Sequence, residues 1–97
     1  MFTTRPELTG SFGMVSSTHW LASGAGMSVL ERGGNAADAA VAAGFVLQVV
    51  EPHLNGPGGE VPILVWREAE QRVHTICGEG TSPAAATLDR FSALGLD

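Results

Sequence analysis

The sequence predicts a mixed α/β (α+β) chain: a strand, two packed helices, a β-hairpin and a short terminal helix. Three stretches carry that expectation. A double glycine leads into a capped apolar run that Pro52 ends, over residues 33–52. Two runs rich in β-branched and aromatic residues, Val61-Pro62-Ile63-Leu64-Val65-Trp66 and Arg72-Val73-His74-Thr75-Ile76-Cys77, flank a polar pentapeptide. Finally, Thr87 and Gly95 bracket a segment of helical length.

Residues 1–12 mix Thr, Pro, Gly and charge without periodicity and read as an extended or disordered end. Residues 13–17 have the composition of a short strand. The next segment, 21–32, sets Leu21, Ala25, Val29 and Leu30 at helical spacing, with Ser17 or Thr18 as capping candidates and Gly33-Gly34 as the left-handed stop. Gly24 and Gly26 weaken such a helix by up to about 1 kcal/mol each relative to alanine, which points to close packing against another element.

The second helix is the most strongly marked element. Asn35 is a good N-cap, and Asp38 three residues later completes a box whose charge suits the helix N-terminus. Between Asp38 and Val50 the only polar side chain is Gln48. Glu51 precedes Pro52 and is pushed out of the α region, so the helix ends near Val50 after about 22 Å of rise. A helix apolar all round lies deep in a large protein or spans a membrane. A span needs about 20 apolar residues, more than this run supplies. A buried helix needs walls on every side, and 97 residues make one small domain at most. Part of what covers this helix therefore belongs outside these residues.

Residues 51–60, Glu51-Pro52-His53-Leu54-Asn55-Gly56-Pro57-Gly58-Gly59-Glu60, form an irregular loop that allows close backbone approach. No Gly-Lys-Ser/Thr follows, so it is not a phosphate loop. In the hairpin, Pro62 belongs at the strand's start, where a missing N–H costs least, and the unbroken apolar run implies burial on both faces with helices against the sheet. Thr87 caps the last helix and Gly95 stops it.

Composition restricts the function. Apolar residues make up 44% of the chain and charged ones 15%, with no lysine and no tyrosine, as in an interior segment rather than a free-standing surface. The net charge is −5 and the five arginines are spread singly, so no basic patch is available for nucleic acid. Cys77 is alone, reads as a small buried hydrophobe, and argues weakly for a reducing compartment. The amino end lacks the apolar run of a secretory signal, and a cytoplasmic protein is expected unless a leader was removed.

Chemical motifs are scarce. His19, His53 and His74 are too scattered for a metal site. Ser23-Gly24-Ala25-Gly26-Met27-Ser28-Val29 holds two glycines of a dinucleotide fingerprint, but they stand too far from the preceding strand. Neither a Ser-His-Asp set nor a G-x-S-x-G elbow occurs. The residues offer no catalytic group, no metal ligands and no cofactor site.

The order Gly13-Met14-Val15, Leu21-Ala22-Ser23, Gly33-Gly34-Asn35-Ala36, Asp38-Ala39-Ala40-Val41-Ala42-Ala43, Val50-Glu51-Pro52-His53, Gly56-Pro57-Gly58-Gly59 and Pro83-Ala84-Ala85-Ala86-Thr87 resembles the amino end of the γ-glutamyltranspeptidase family. The resemblance covers nearly the whole chain. It implies that residues 1–97 are the N-terminal fragment of an Ntn-hydrolase αββα sandwich, at the start of the large subunit of a self-cleaving precursor. The implied nucleophile is the N-terminal threonine of the small subunit, downstream of this chain, whose free α-amino group serves as its base in amide hydrolysis or γ-glutamyl transfer. The implied partners are the rest of the large subunit, the small subunit and a small-molecule amide, with no nucleic acid, membrane or cofactor. The complete protein is expected to be an enzyme, and this chain alone to be inactive. A non-catalytic truncated scaffold piece is the alternative of different class.

The resemblance also implies one substrate-binding position. Typical members carry an arginine for the substrate's α-carboxylate in a Gly-Arg-Glu-x-x-Pro stretch. The matching residues here are Gly78-Glu79-Gly80-Thr81-Ser82-Pro83. Counting back from Pro83 puts Glu79 in the arginine's place, and sliding by one puts Gly78 there. Neither is basic. An arginine–carboxylate bond is worth about 1.5–3 kcal/mol, and a carboxylate in its place repels the ligand. The departure suits relatives of the same fold that act as acylases on simple dicarboxylic monoamides or neutral acyl amides.

Overall fold

The computed structural model describes residues 6–96. The chain divides into two compact units, Met1–Pro57 and Gly58–Asp97.

The first unit is built on two helices, α1 (Trp20–Glu31) and α2 (Ala36–Val50). The link between them is a complete Schellman turn: Gly33 takes φ +89°, its N–H donates to the Leu30 carbonyl at 2.9 Å, and Gly34 N–H donates to the Val29 carbonyl at 2.9 Å. Only a residue without Cβ accepts that left-handed φ at low cost. Asn35 then starts α2 as expected. Its Oδ1 accepts from the N–H groups of Ala37 (2.8 Å) and Asp38 (3.0 Å), and the Asp38 carboxylate accepts from Asn35 N–H at 2.9 Å.

Small residues make the contact between the helices. Ala22 and Gly26 of α1 and Ala39 and Ala43 of α2 are buried, each pair spaced by one turn. A Cβ at Gly26 would lie 2.9 Å from Val15 Cγ1 and 3.1 Å from the Ala39 carbonyl oxygen, so the expected close packing occurs there. Gly24 has nothing within 4 Å and takes no part in it. The buried face of α1 is thus offset by one residue from the larger apolar side chains: Leu21 is exposed, while Ala22 is fully buried.

Of three expectations for this unit, the first two are corrected. Residues 13–17 have alternating exposure but no strand partner among the described residues, so the predicted strand is an extended segment. A strand exists only as half of a hydrogen-bonded pair, and residues 13–17 supply just one half. Second, the α1 cap is His19, whose Nδ1 accepts from Leu21 N–H at 3.2 Å, rather than Ser17 or Thr18. Those hydroxyls are engaged elsewhere: Ser17 Oγ donates to the His19 carbonyl at 2.8 Å and lies 2.7 Å from Ser23 Oγ, and Thr18 Oγ1 donates to the Glu51 carboxylate. Third, the extended end predicted over residues 1–12 is seen as exposed, irregular backbone over residues 6–12, while residues 1–5 lie outside the described part.

One side of α2 is open. Val41, Phe45 and Val49, one turn apart, are 58%, 64% and 78% exposed. The helix is apolar all round, as the sequence says, and only its alanine face is buried within these residues.

The second unit holds an antiparallel hairpin of β1 (Pro62–Arg67) and β2 (Arg72–Cys77), paired from Pro62↔Cys77 to Arg67↔Arg72. Pro62 opens the first strand as predicted. A 3-10 turn over Glu68–Glu70 reverses the chain, and Gln71 completes the reversal at φ 48°. Side chains hold that turn. Glu68 accepts from Trp66 Nε1 at 2.8 Å and from Gln71 Nε2 at 2.6 Å, while Glu70 pairs with Arg67 and with His74.

Burial of β1 on both faces is not observed. Ile63 and Val65 are half-buried, but Leu64 and Trp66 on the other face are exposed, because double burial requires a layer on each side. Cys77 is exposed, contrary to the buried position expected for it. After a turn in which Ala86 N–H donates to the Pro83 carbonyl at 2.8 Å, Thr87 Oγ1 caps α3 (Leu88–Ala93) by accepting from Arg90 N–H at 3.3 Å. Gly95, at φ +68°, ends it through a second Schellman pair, Gly95 N–H to Ser92 and Leu96 N–H to Phe91, both 3.0 Å.

Candidate functional site

The candidate residues Gly78 and Glu79 follow directly on β2. Gly78 N–H donates to the Val61 carbonyl at 3.1 Å, which carries the hairpin ladder one step past Pro62↔Cys77. The approach leaves no room for a side chain at position 78. A Cβ there would sit 2.6 Å from Val61 Cγ1 and 2.6 Å from the Val61 carbonyl oxygen, closer than real Cβ contacts come. Position 79 is different. The residue is exposed, and its carboxylate makes no hydrogen bond or ion pair among the described residues. Gly80, next along, is open on every side.

The same junction collects the glycine-rich loop. Residues 58–60 run into Val61, so Glu60 and Glu79 stand next to the two residues joined by the Val61–Gly78 bond. Both are exposed carboxylates at the open end of the hairpin. Sequence reasoning left Gly78 and Glu79 as alternatives and missed Val61. The signal lay in the hairpin itself, since counting outward from its turn pairs position 78 with position 61.

Cys77, Thr81 and Ser82 lie beside the junction, but none of them is hydrogen-bonded to a base among the described residues. No group of three or more His, Cys, Asp or Glu that could hold a metal ion occurs among the described residues. His19 caps α1, His53 lies in the turn after α2, and His74 Nε2 is 2.7 Å from Glu70 Oε2. In the first unit, a groove of about 370 Å³ runs between the extended segment and α2, lined chiefly by Met14, Val15, Leu30, Ala39, Ala43 and Leu47. Its lining is mostly apolar, with Ser16 and Ser17 as the polar side chains, and it holds no charged group. No helix among the described residues is long and apolar enough to cross a membrane.

Residues 22–97 match the family model described as Gamma-glutamyltranspeptidase. The chain belongs to the γ-glutamyltranspeptidase family. It is 44% identical over 82 residues to a glutathione hydrolase proenzyme of Bacillus subtilis (strain 168), an alignment covering 84% of this chain and 14% of the relative. It is 46% identical over 87 residues to an acylase ACY 1 proenzyme of Pseudomonas sp. (strain V22), covering 89% of this chain and 15% of the relative. Among solved structures, the crystal structure of Helicobacter pylori γ-glutamyltranspeptidase superposes with a TM-score of 0.78 at 38% identity, over 89% of this chain and 24% of the other. The γ-glutamyltranspeptidase-like chain thus spans about a seventh of the length of the curated relatives it matches. The mixed helices and small antiparallel sheet are a piece of this family's fold, as the sequence order implied.

Proposed function

We propose that the chain is the N-terminal part of the large subunit of a self-cleaving amide hydrolase or acyltransferase, and that residue 79 faces the acyl group of its substrate. In this reading a threonine downstream of these residues, freed at its α-amino group by self-cleavage, attacks the amide carbonyl. The amine leaves, and the resulting ester passes its acyl group to water or to an amine. No residue of the present chain takes part in bond making. The relatives' names as proenzymes and hydrolases or acylases support this class.

One observation carries the assignment of position 79. A side chain at 78 collides with Val61, so of the two registers left open by the motif only residue 79 can present a side chain. That residue is glutamate. A carboxylate at position 79 disfavours a carboxylate-bearing acyl group such as γ-glutamyl, because like charges repel. A dicarboxylic monoamide such as a glutaryl amide keeps the same carboxylate, so that part of the preference expected from the motif is withdrawn; the favoured acyl groups are the neutral ones.

The test is Glu79→Arg in the full-length, matured enzyme. Arginine removes a repulsive charge and adds a bidentate donor, so kcat/KM for γ-glutamyl-p-nitroanilide rises about tenfold or more relative to 4-aminobutyryl-p-nitroanilide, which lacks only the α-carboxylate. An unchanged ratio places residue 79 outside the acyl pocket.

A further inference from the structure

We infer that Gly78 is a positioning residue, whose close contact with Val61 sets the direction in which residue 79 leaves the hairpin; this rests on the proposal that residue 79 faces the acyl group. The contact has two parts that act together. The Gly78 N–H bond to the Val61 carbonyl, 3.1 Å, fixes the backbone of position 78 to the strand opposite. The absent Cβ then lets Val61 occupy the place a side chain would take, since both its Cγ1 and its carbonyl oxygen would lie 2.6 Å from a Cβ at 78. One of the obstructing atoms belongs to the backbone, so no rotamer change of Val61 relieves the clash, and any side chain at 78 moves the segment itself. No positive φ is involved. The requirement for glycine comes from proximity alone.

Residue 79 is the first position beyond this last ladder bond, and its direction follows from the peptide plane that Gly78 fixes. A displacement of about 1 Å at such a junction is large on the scale that orientation in a substrate pocket tolerates. Val61 in turn ends the glycine-rich loop, so the Val61–Gly78 contact also ties the placement of residue 79 to the placement of residues 58–60.

The experiment is a double-mutant cycle in the full-length matured enzyme, combining Gly78→Ala and Glu79→Ala. KM and kcat are read separately for γ-glutamyl-p-nitroanilide and 4-aminobutyryl-p-nitroanilide. Gly78→Ala is expected to change the ratio of the two KM values by about threefold or more when Glu79 is present, and to leave it unchanged when residue 79 is alanine. Equal effects in both backgrounds, or no effect in either while Glu79→Ala alone shifts the ratio, overturn the positioning role. No shift with Glu79→Ala overturns instead the reading on which it rests.

Should Gly78→Ala fail to mature, amide hydrogen exchange of the wild-type protein, resolved at residue 78, decides the matter. The Gly78 amide is expected to be protected about a hundredfold or more over an unstructured peptide. Exchange at the unstructured rate means that the Val61 anchor is absent and the inference is wrong.

Discussion

The helix pair and the hairpin are unfinished in different ways. In the helix pair the ends are fully specified, with a capping box at Asn35 and a Schellman turn at Gly33 and Gly34, and one face is packed through Ala22, Gly26, Ala39 and Ala43. The face of α2 that carries Val41, Phe45 and Val49 is bare. In the hairpin no residue is fully buried, and what defines the structure is the ladder and the side-chain bonds of Glu68 and Glu70 at its turn. Local interactions are therefore complete in both regions while burial is complete in neither. That is what a seventh of a larger fold looks like: hydrogen bonds close over a few residues, but apolar burial is shared among elements far apart in sequence.

The contrast can be broken most strongly at the open side of α2. Burying a Phe or Val side chain stabilises by about 1.5–3 kcal/mol, so Phe45→Glu with Val49→Lys is expected to abolish folding and self-cleavage of the full-length protein. The same exposed face predicts that the isolated 97-residue chain self-associates, and the double variant should suppress this. Processing that proceeds unchanged in the full-length double variant would show that α2 has no further walls. Sedimentation of the unmodified fragment as a compact monomer would show the same.

Next in size is the packed face. Gly26→Val overfills the gap against Val15 and Ala39 and should cost about 1–3 kcal/mol, read as a lower denaturation midpoint of the complete protein. An unchanged midpoint removes the close approach of α1 and α2. Smaller is the cap, where Asn35→Ala should cost about 1 kcal/mol. At the hairpin turn, Glu68→Ala loses exposed acceptors for Trp66 and Gln71, and the expected cost is about 0.5–1 kcal/mol. If Glu68→Ala instead destabilises more than Gly26→Val, the ranking of packing over local bonds is reversed.

The features readable from the residues follow the same division. The bounds of α2, its box and its stop were visible because Asn35, Asp38 and Pro52 act within one or two turns of themselves. The hairpin and the caps at Thr87 and Gly95 were visible for the same reason. The strand expected at 13–17 failed because pairing depends on a partner elsewhere. Serine and threonine are the types favoured as caps, which pointed to Ser17 and Thr18, but their hydroxyls hydrogen-bond to other groups and His19 takes the position. The buried face of α1 was hidden because alanine and glycine carry little hydrophobic signal, and Cys77 is exposed because nothing among the described residues covers its face of the hairpin. At the candidate site the motif left two registers, Gly78 and Glu79, and it could not show the contact of Gly78 with Val61, which is distant in sequence.

The central claim is that residue 79, a carboxylate, meets the substrate's acyl group. Its most direct test is the unmodified, full-length matured enzyme, comparing kcat/KM for 4-aminobutyryl-p-nitroanilide and γ-glutamyl-p-nitroanilide. The account predicts that the compound without the α-carboxylate is favoured by about tenfold or more, equivalent to about 1.4 kcal/mol. Efficient turnover of the γ-glutamyl compound with the preference reversed would contradict it.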